Sequence, residues 1–206
     1  LDKVDDRELK VIEFLGNKFV NQTKGKKPNF NVPVVPKFKP EELKGLTGTK
    51  QILDQQGPEA LSKWIMDQKK LLITDTTMRD AQQSLMATRV RTVDLEKIAP
   101  AMSVYGKDLF SVEMWGGATF DTSYRFLKES PWERLDVLRE KMPNLLMQML
   151  IRGANAVGYK NYPDNVIREF VKQSAKSGID VFRIFDPLNW LEGMSVALDE
   201  TLKQNK

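Results

Sequence analysis

Neither cysteine nor histidine occurs anywhere in the 206 residues. Without cysteine there are no disulfides, no thiolate zinc site and no cysteine nucleophile, a composition that suits a reducing compartment. Without histidine, the commonest metal ligand and general base, any metal site must rely on oxygen donors or on residues outside this chain. A self-sufficient metalloenzyme is therefore not expected. Long apolar runs are also missing: none approaches the roughly 18 residues of a membrane span. Strong charge of one sign is missing too. The 32 basic and 28 acidic side chains leave +4, and with no basic block a nucleic-acid partner is not expected. The N-terminus, Leu1-Asp2-Lys3-Val4-Asp5-Asp6, has no Met start and no signal-peptide pattern, and it reads as an excised piece of a longer chain.

What is present divides into two parts. In the first, Leu9, Ile12 and Phe14-Leu15 recur at helical spacing after Asp6. From Asn21 to Pro40 the sequence is basic and broken by four prolines, which precludes a helix and favours an extended segment. Lys24 to Lys27 fits a solvated linker better than a polyanion contact. Gly57-Pro58 then opens a helix through Trp64-Ile65. Residues 1–45 are expected to form a linker or inter-domain segment of the kind used in tetramer assembly, and 46–206 the folded domain.

From residue 71 a strand-then-helix pattern repeats. Apolar strands are expected to begin near Leu71, Leu109, Leu145 and Ile179, at intervals of 38, 36 and 34 residues. Between them, Thr92 is positioned to cap one helix, Ser130-Pro131-Trp132-Glu133 forms a capping box, and Pro163-Asp164 to Gly178 delimits a third helix. The tail from Leu191 to Leu202 reads as a fourth. Such alternation implies a parallel sheet with right-handed crossovers. No Gly-rich dinucleotide turn follows the first strand. The fold class expected is α/β: a partial TIM (β/α)8 barrel of about four β/α units, preceded by a helical and extended linker.

Barrels of this kind keep their chemistry at the C-terminal strand ends. Strand one leads into Arg79-Asp80-Ala81-Gln82-Gln83. There Asp80 suits a hard or borderline metal, and Arg79 with Gln83 suits an anionic keto acid becoming an enolate. The plainer alternative is an Arg-Asp pair in a surface loop. Strand two places Glu113 where an unpaired charge is costly, so Arg79 is its expected partner, either as a structural ion pair or as an arginine oriented for chemistry. The glycines that follow, Gly116-Gly117, permit a close approach. Strand three ends in Arg152-Gly153-Ala154-Asn155, with Tyr159 in the next loop; Arg152 suits a carboxylate or a ureido oxygen. Strand four ends in Asp186, and Arg183 and Asp186 are expected to support one another. The tryptophans and methionines read as core.

These residues resemble a known family. The run Thr74-Asp75-Thr76-Thr77-Met78-Arg79-Asp80-Ala81-Gln82-Gln83-Ser84 is similar to the opening of the carboxyltransferase domain of the biotin-dependent pyruvate carboxylases. So are Glu113 to Asp121, Arg152 to Tyr159, and Phe182-Arg183-Ile184-Phe185-Asp186, while Val32-Pro33-Val34-Val35-Pro36 and Gly48-Thr49-Lys50 look like the linker into that domain. The resemblance implies transfer of carboxyl from carboxybiotin to pyruvate, giving oxaloacetate. It implies Asp80 as a ligand of divalent zinc or manganese, and Arg79, Gln83 and Arg152 as the groups that hold pyruvate and its enolate. It also implies that Asp121 and Tyr159 fall in the pocket that receives biotin. It further implies a homotetramer, cytoplasmic if bacterial and in the mitochondrial matrix if eukaryotic, with no membrane partner. Biotin would sit on a carrier absent from this chain, and ATP and Mg would serve an absent biotin carboxylase domain.

Gln82 stands where the family usually has histidine. The family's other metal ligands, a carboxylated lysine and a His-x-His pair, and a proton-relaying threonine belong to later strands, so the chain is expected to be inactive alone. Three other readings remain open at this stage. One is a sister carboxyltransferase of an oxaloacetate decarboxylase or a transcarboxylase. Another is an enolate-forming synthase or lyase that uses an acyl-CoA. The last is a non-catalytic assembly fragment.

Overall fold

The computed structural model describes residues 6–20, 36–85 and 89–206. The proline-broken stretch from Asn21 to Val35, with the Lys24 to Lys27 run, lies outside the described residues, as do Met86-Ala87-Thr88 of the first strand-end motif. The chain divides into two units, Leu1–Val35 and Pro36–Lys206. In the first, helix α1 spans Asp6–Leu15, as its apolar spacing predicts.

The second unit is built on four parallel strands in the order β1-β2-β3-β4: β1 Thr74–Asp75, β2 Ser111–Trp115, β3 Leu146–Ile151 and β4 Val181–Ile184. Each strand is followed by helix: α3 (Thr92–Tyr105), α4 (Gly117–Asp121) with α5 (Pro131–Lys141), α6 (Asp164–Ser177) and α7 (Glu192–Lys203). One sheet face presents Val112, Met114, Met147 and Met149 to Leu95, Leu135, Leu138, Ile167 and Val171 of these helices. Trp115 closes the core near the sheet's C-terminal edge. Its ring centroid is 4.7 Å from that of Phe120 and 4.8 Å from that of Trp132, and its Nε1 donates to Pro131 O at 3.2 Å.

Helix α2 (Thr49–Asp67) covers the lower part of the other face, where Leu53 and Leu61 pack on Leu146. The sequence placed a helix start at Gly57-Pro58. The structure has helix on both sides of that point, broken by Gly57 at φ +83°. Strand β1 also starts later than its apolar sequence predicts. The apolar run Leu71-Leu72-Ile73 is not the strand: Leu71 is 88% and Ile73 56% exposed, and they line a cavity of about 610 Å³ with Met102, Tyr105 and Leu109. As the outermost strand, β1 has a neighbour on one side only. Pairing there begins with Phe110 N donating to Ile73 O at 2.9 Å and ends at Asp75.

The helix starts are built from local chemistry. Ser130 accepts from Glu133 N at 3.3 Å with Pro131 in the first turn, and Gly178 ends α6 at φ +119°. At α3 the cap comes from a distance. Thr92 Oγ1 and N both donate to Glu129, 37 residues on, which also takes the buried Arg134. Burial pushes the Glu129 carboxyl up, but hydrogen bonds from Thr92, Arg91 and Arg134 outweigh it and hold the group down at about 2. Under the sheet, buried Asp180 ties Arg139, Lys206 and Met147 N to the foot of β4. Among the described residues no helix is long and apolar enough to cross a membrane.

Candidate active site

The turn after β1 is set by Asp75, whose carboxylate accepts from Thr77 N at 2.9 Å and from Thr77 Oγ1 at 3.0 Å. Met78 anchors it in the core, and a single wide π-turn, Ala81–Leu85, follows. Arg79 is thereby turned in over the end of the sheet and buried. Its guanidinium donates through Nη1 to Asp80 Oδ1 at 2.6 Å and through Nη2 to Glu113 Oε1. The expected Glu113–Arg79 pair is thus present. Glu113 is fully buried, and its other oxygen accepts from Gln148 Nε2 at 2.8 Å and from Arg183 Nε and Nη2 at 2.9 and 2.7 Å.

Two of those partners escaped the sequence. Gln148 is the cross-strand register partner of Glu113, a relation set by how β2 and β3 align. Arg183 pairs with Glu113 and not with Asp186, which instead accepts from Leu188 N and Trp190 N at 2.8 and 3.0 Å and shapes its own loop. The network runs on through Ser111 Oγ, which contacts Gln148 Oε1 at 3.4 Å and Thr74 Oγ1 at 2.8 Å. It therefore crosses all four strands.

The Gly116-Gly117 pair joins this cluster to the end of β3. A Cβ on Gly116 would lie 3.2 Å from Arg79 Nε, and one on Gly117 would lie 2.9 Å from the Arg152 guanidinium. Two arginine heads therefore rest on consecutive peptide units that only glycine leaves open. Arg152 donates to Gly158 O at 3.0 Å and stands 5.3 Å from the Tyr159 ring centroid. No carboxylate pairs with it among the described residues. Arg79 and Arg183 are both paired to Glu113, whereas Arg152 keeps its charge for an anion.

Arg152 and Tyr159 share a cavity of about 370 Å³ with Asn155, Gly158, Phe185 and Asp186. Tyr159 is 73% exposed. Asp121 is not among the lining residues; it forms an ion pair with Arg125 one turn on, at 3.1 Å. Gln83 lies on the π-turn that follows Arg79, and both polar atoms of its amide are buried without a partner among the described residues. Such a group is costly unless something meets it.

For a metal, Asp80 offers one oxygen donor. Its side chain is 42% exposed, and the two hydrogen bonds it accepts among the described residues, from Arg79 and from Ser84 Oγ at 2.8 Å, fall on Oδ1. Among the described residues no group of three or more metal-ligating side chains gathers. The residues present fit one ligand of a metal site and do not build the site.

No family model matches the chain. Pyruvate carboxylase of Bacillus subtilis is 57% identical over 201 residues, which cover 96% of this chain and 17% of that protein. The carboxyl transferase domain of Rhizobium etli pyruvate carboxylase, solved with oxamate and biotin, superposes with a TM-score of 0.80 at 56% identity, covering 87% of this chain and 30% of that one. The chain is homologous to pyruvate carboxylases. The same Rhizobium etli domain solved with pyruvate and biocytin gives a TM-score of 0.79 at 56% identity, over 85% of this chain and 29% of that one. The four parallel β/α units match part of a carboxyltransferase barrel. The chain spans 17% of the length of the Bacillus subtilis enzyme and so represents a segment of such a protein's length.

Proposed function

We propose that this chain contributes the pyruvate-binding side of a carboxyltransferase site, where carboxyl passes from carboxybiotin to pyruvate to give oxaloacetate. The observation that carries this reading is Arg152: a cation at the sheet's C-terminal end with no carboxylate partner among the described residues. The buried, unpartnered amide of Gln83 on the turn after β1 supports it. Arg152 holds the pyruvate carboxylate. Arg79, locked by Glu113 and Asp80, faces the oxygen on which negative charge grows as the methyl group loses its proton and the enolate forms. Gln83 donates to the same anion. Donors fixed in advance at a developing charge lower the barrier without reorganising. The enolate carbon then bonds to the carboxyl carbon, the bond to the biotin ureido nitrogen breaks, and that nitrogen takes up the proton.

A divalent metal, when bound, supplies Lewis acidity at the keto oxygen, with Asp80 as the ligand this chain offers. Tyr159, exposed beside Arg152, offers a face for the biotin ring, and Asp121 lies on α4 as a further polar contact. Biotin comes on a carrier, and the ATP- and Mg-dependent step that charges it belongs to other parts of a homotetrameric protein. The reading is tested on the intact protein with pyruvate, bicarbonate and ATP, following oxaloacetate by its coupled reduction. Arg152→Ala should lower kcat/KM for pyruvate about 100-fold or more. Absence of oxaloacetate formation by the unmodified protein would overturn the reading.

A further inference from the structure

Glu113 divides its two oxygens between different tasks. Oε2 takes three donors, one from Gln148 on β3 and two from Arg183 on β4, while Oε1 is left to the Arg79 guanidinium. A carboxylate held by three donors on one oxygen cannot swing about its last bond, so the direction of Oε1 is fixed. The parallel register sets this up. Glu113 faces Gln148, Gln148 faces Val181, and Arg183 lies two residues further along β4 on the same face.

Stability alone is a poor account of Arg183. Its side chain is 53% exposed, so water screens its charge and the pair contributes less to folding than the buried Arg79–Glu113 pair does. Arg79, by contrast, is buried against Glu113 and already neutralised on its other side by Asp80. The geometry points to Arg183, with Gln148, as a positioning residue for Arg79. It acts through Glu113 and does not touch the anion. The kinetic half of this inference rests on the proposed carboxyltransferase reading; the structural half does not.

The test uses Arg183→Met and Arg183→Lys. In the 206-residue chain, the Arg79 Nε–Hε signal is found in nitrogen-edited NMR spectra by its loss in Arg79→Lys. Arg183→Met should shift and broaden that signal while leaving the melting temperature close to the parent's, and Arg183→Lys should move it less. In the intact protein Arg183→Met should lower kcat/KM for pyruvate about 10–100-fold, the range for partners that orient a reactive group. The loss should fall mainly on kcat, and Arg183→Lys should recover part of it. An unmoved Arg79 signal in Arg183→Met overturns the inference, as does kcat/KM within twofold of the parent. Should Arg183→Met fail to fold, Arg183→Lys decides by the same two readouts. If the unmodified protein does not carboxylate pyruvate, the function reading fails and the NMR result still decides the clamp.

Discussion

Gly117 lies so close to Arg152 that a Cβ at this glycine would sit 2.9 Å from Cζ and both terminal nitrogens of the guanidinium. The clash is with the far end of a flexible side chain, so the arginine can move aside. Gly117→Ala should therefore fold with stability within about 1 kcal/mol of the parent. In the intact protein it should lose about 10–100-fold in kcat/KM for pyruvate, because Arg152 is displaced. Gly153→Ala is the opposite case. Its φ is +40° and its Cβ would meet Gly193 O at 2.7 Å, a backbone atom that cannot swing away. It should cost about 1–3 kcal/mol, seen as a lower melting temperature.

Removing the Glu113 carboxylate should be costly. Glu113→Ala leaves the buried Arg79 without its main counter-charge, a loss of about 3–5 kcal/mol by analogy with other broken buried pairs. Urea unfolding of the chain measures it. A midpoint equal to the parent's would mean that Arg79 finds another partner or turns to solvent.

Glu129 gives a pH signature. Its carboxyl falls from an ordinary 4.5 to about 2 in the folded state, so it favours folding above pH 4.5. That contribution fades as pH drops from 4.5 toward 2, where the folded form also takes up its proton. Glu129→Gln should therefore be less stable than the parent at pH 6, and the gap should narrow at pH 3. A gap that stayed constant between these pH values would count against the assigned hydrogen bonds.

Metal binding should separate chain from site. With Asp80 as a lone carboxylate donor, the 206-residue chain should retain no stoichiometric zinc after dialysis against a chelator, since catalytic zinc usually needs three protein ligands. In the intact protein Asp80→Ala should abolish oxaloacetate formation while ATP-dependent carboxylation of biotin continues, measured by phosphate release. Retained zinc in the isolated chain would show that the ligand set has been misread.

Much of the architecture is legible because its signals are local. Ser130-Pro131 and Gly178 mark helix ends through their own backbone chemistry, and the buried strand β3 is written as an apolar run that only Gln148 interrupts. The edge strand is harder to read, because Leu71 and Ile73 look like core residues although little in this chain covers them. The Glu113–Arg79 pair followed from one costly burial. The sequence points Arg183 to its near neighbour Asp186, because its true partner depends on the alignment of three strands. A slip of one residue in either ladder would have put the two groups on opposite faces. The link from Glu129 to Thr92 was hidden for a similar reason: the residue that completes the helix start is 37 positions away.

Trp115 gives the molecule an optical reporter. Its indole meets that of Trp132 edge-on at 84°, is fully buried, and directly precedes the Gly116-Gly117 corner against which both arginine heads rest. Two indoles fixed this closely in an asymmetric setting should give a strong near-ultraviolet dichroism band and blue-shifted emission, while the exposed Trp190 emits further to the red. A disturbance of that corner, by substitution or by an arriving anion, should therefore be readable as light before any turnover is measured.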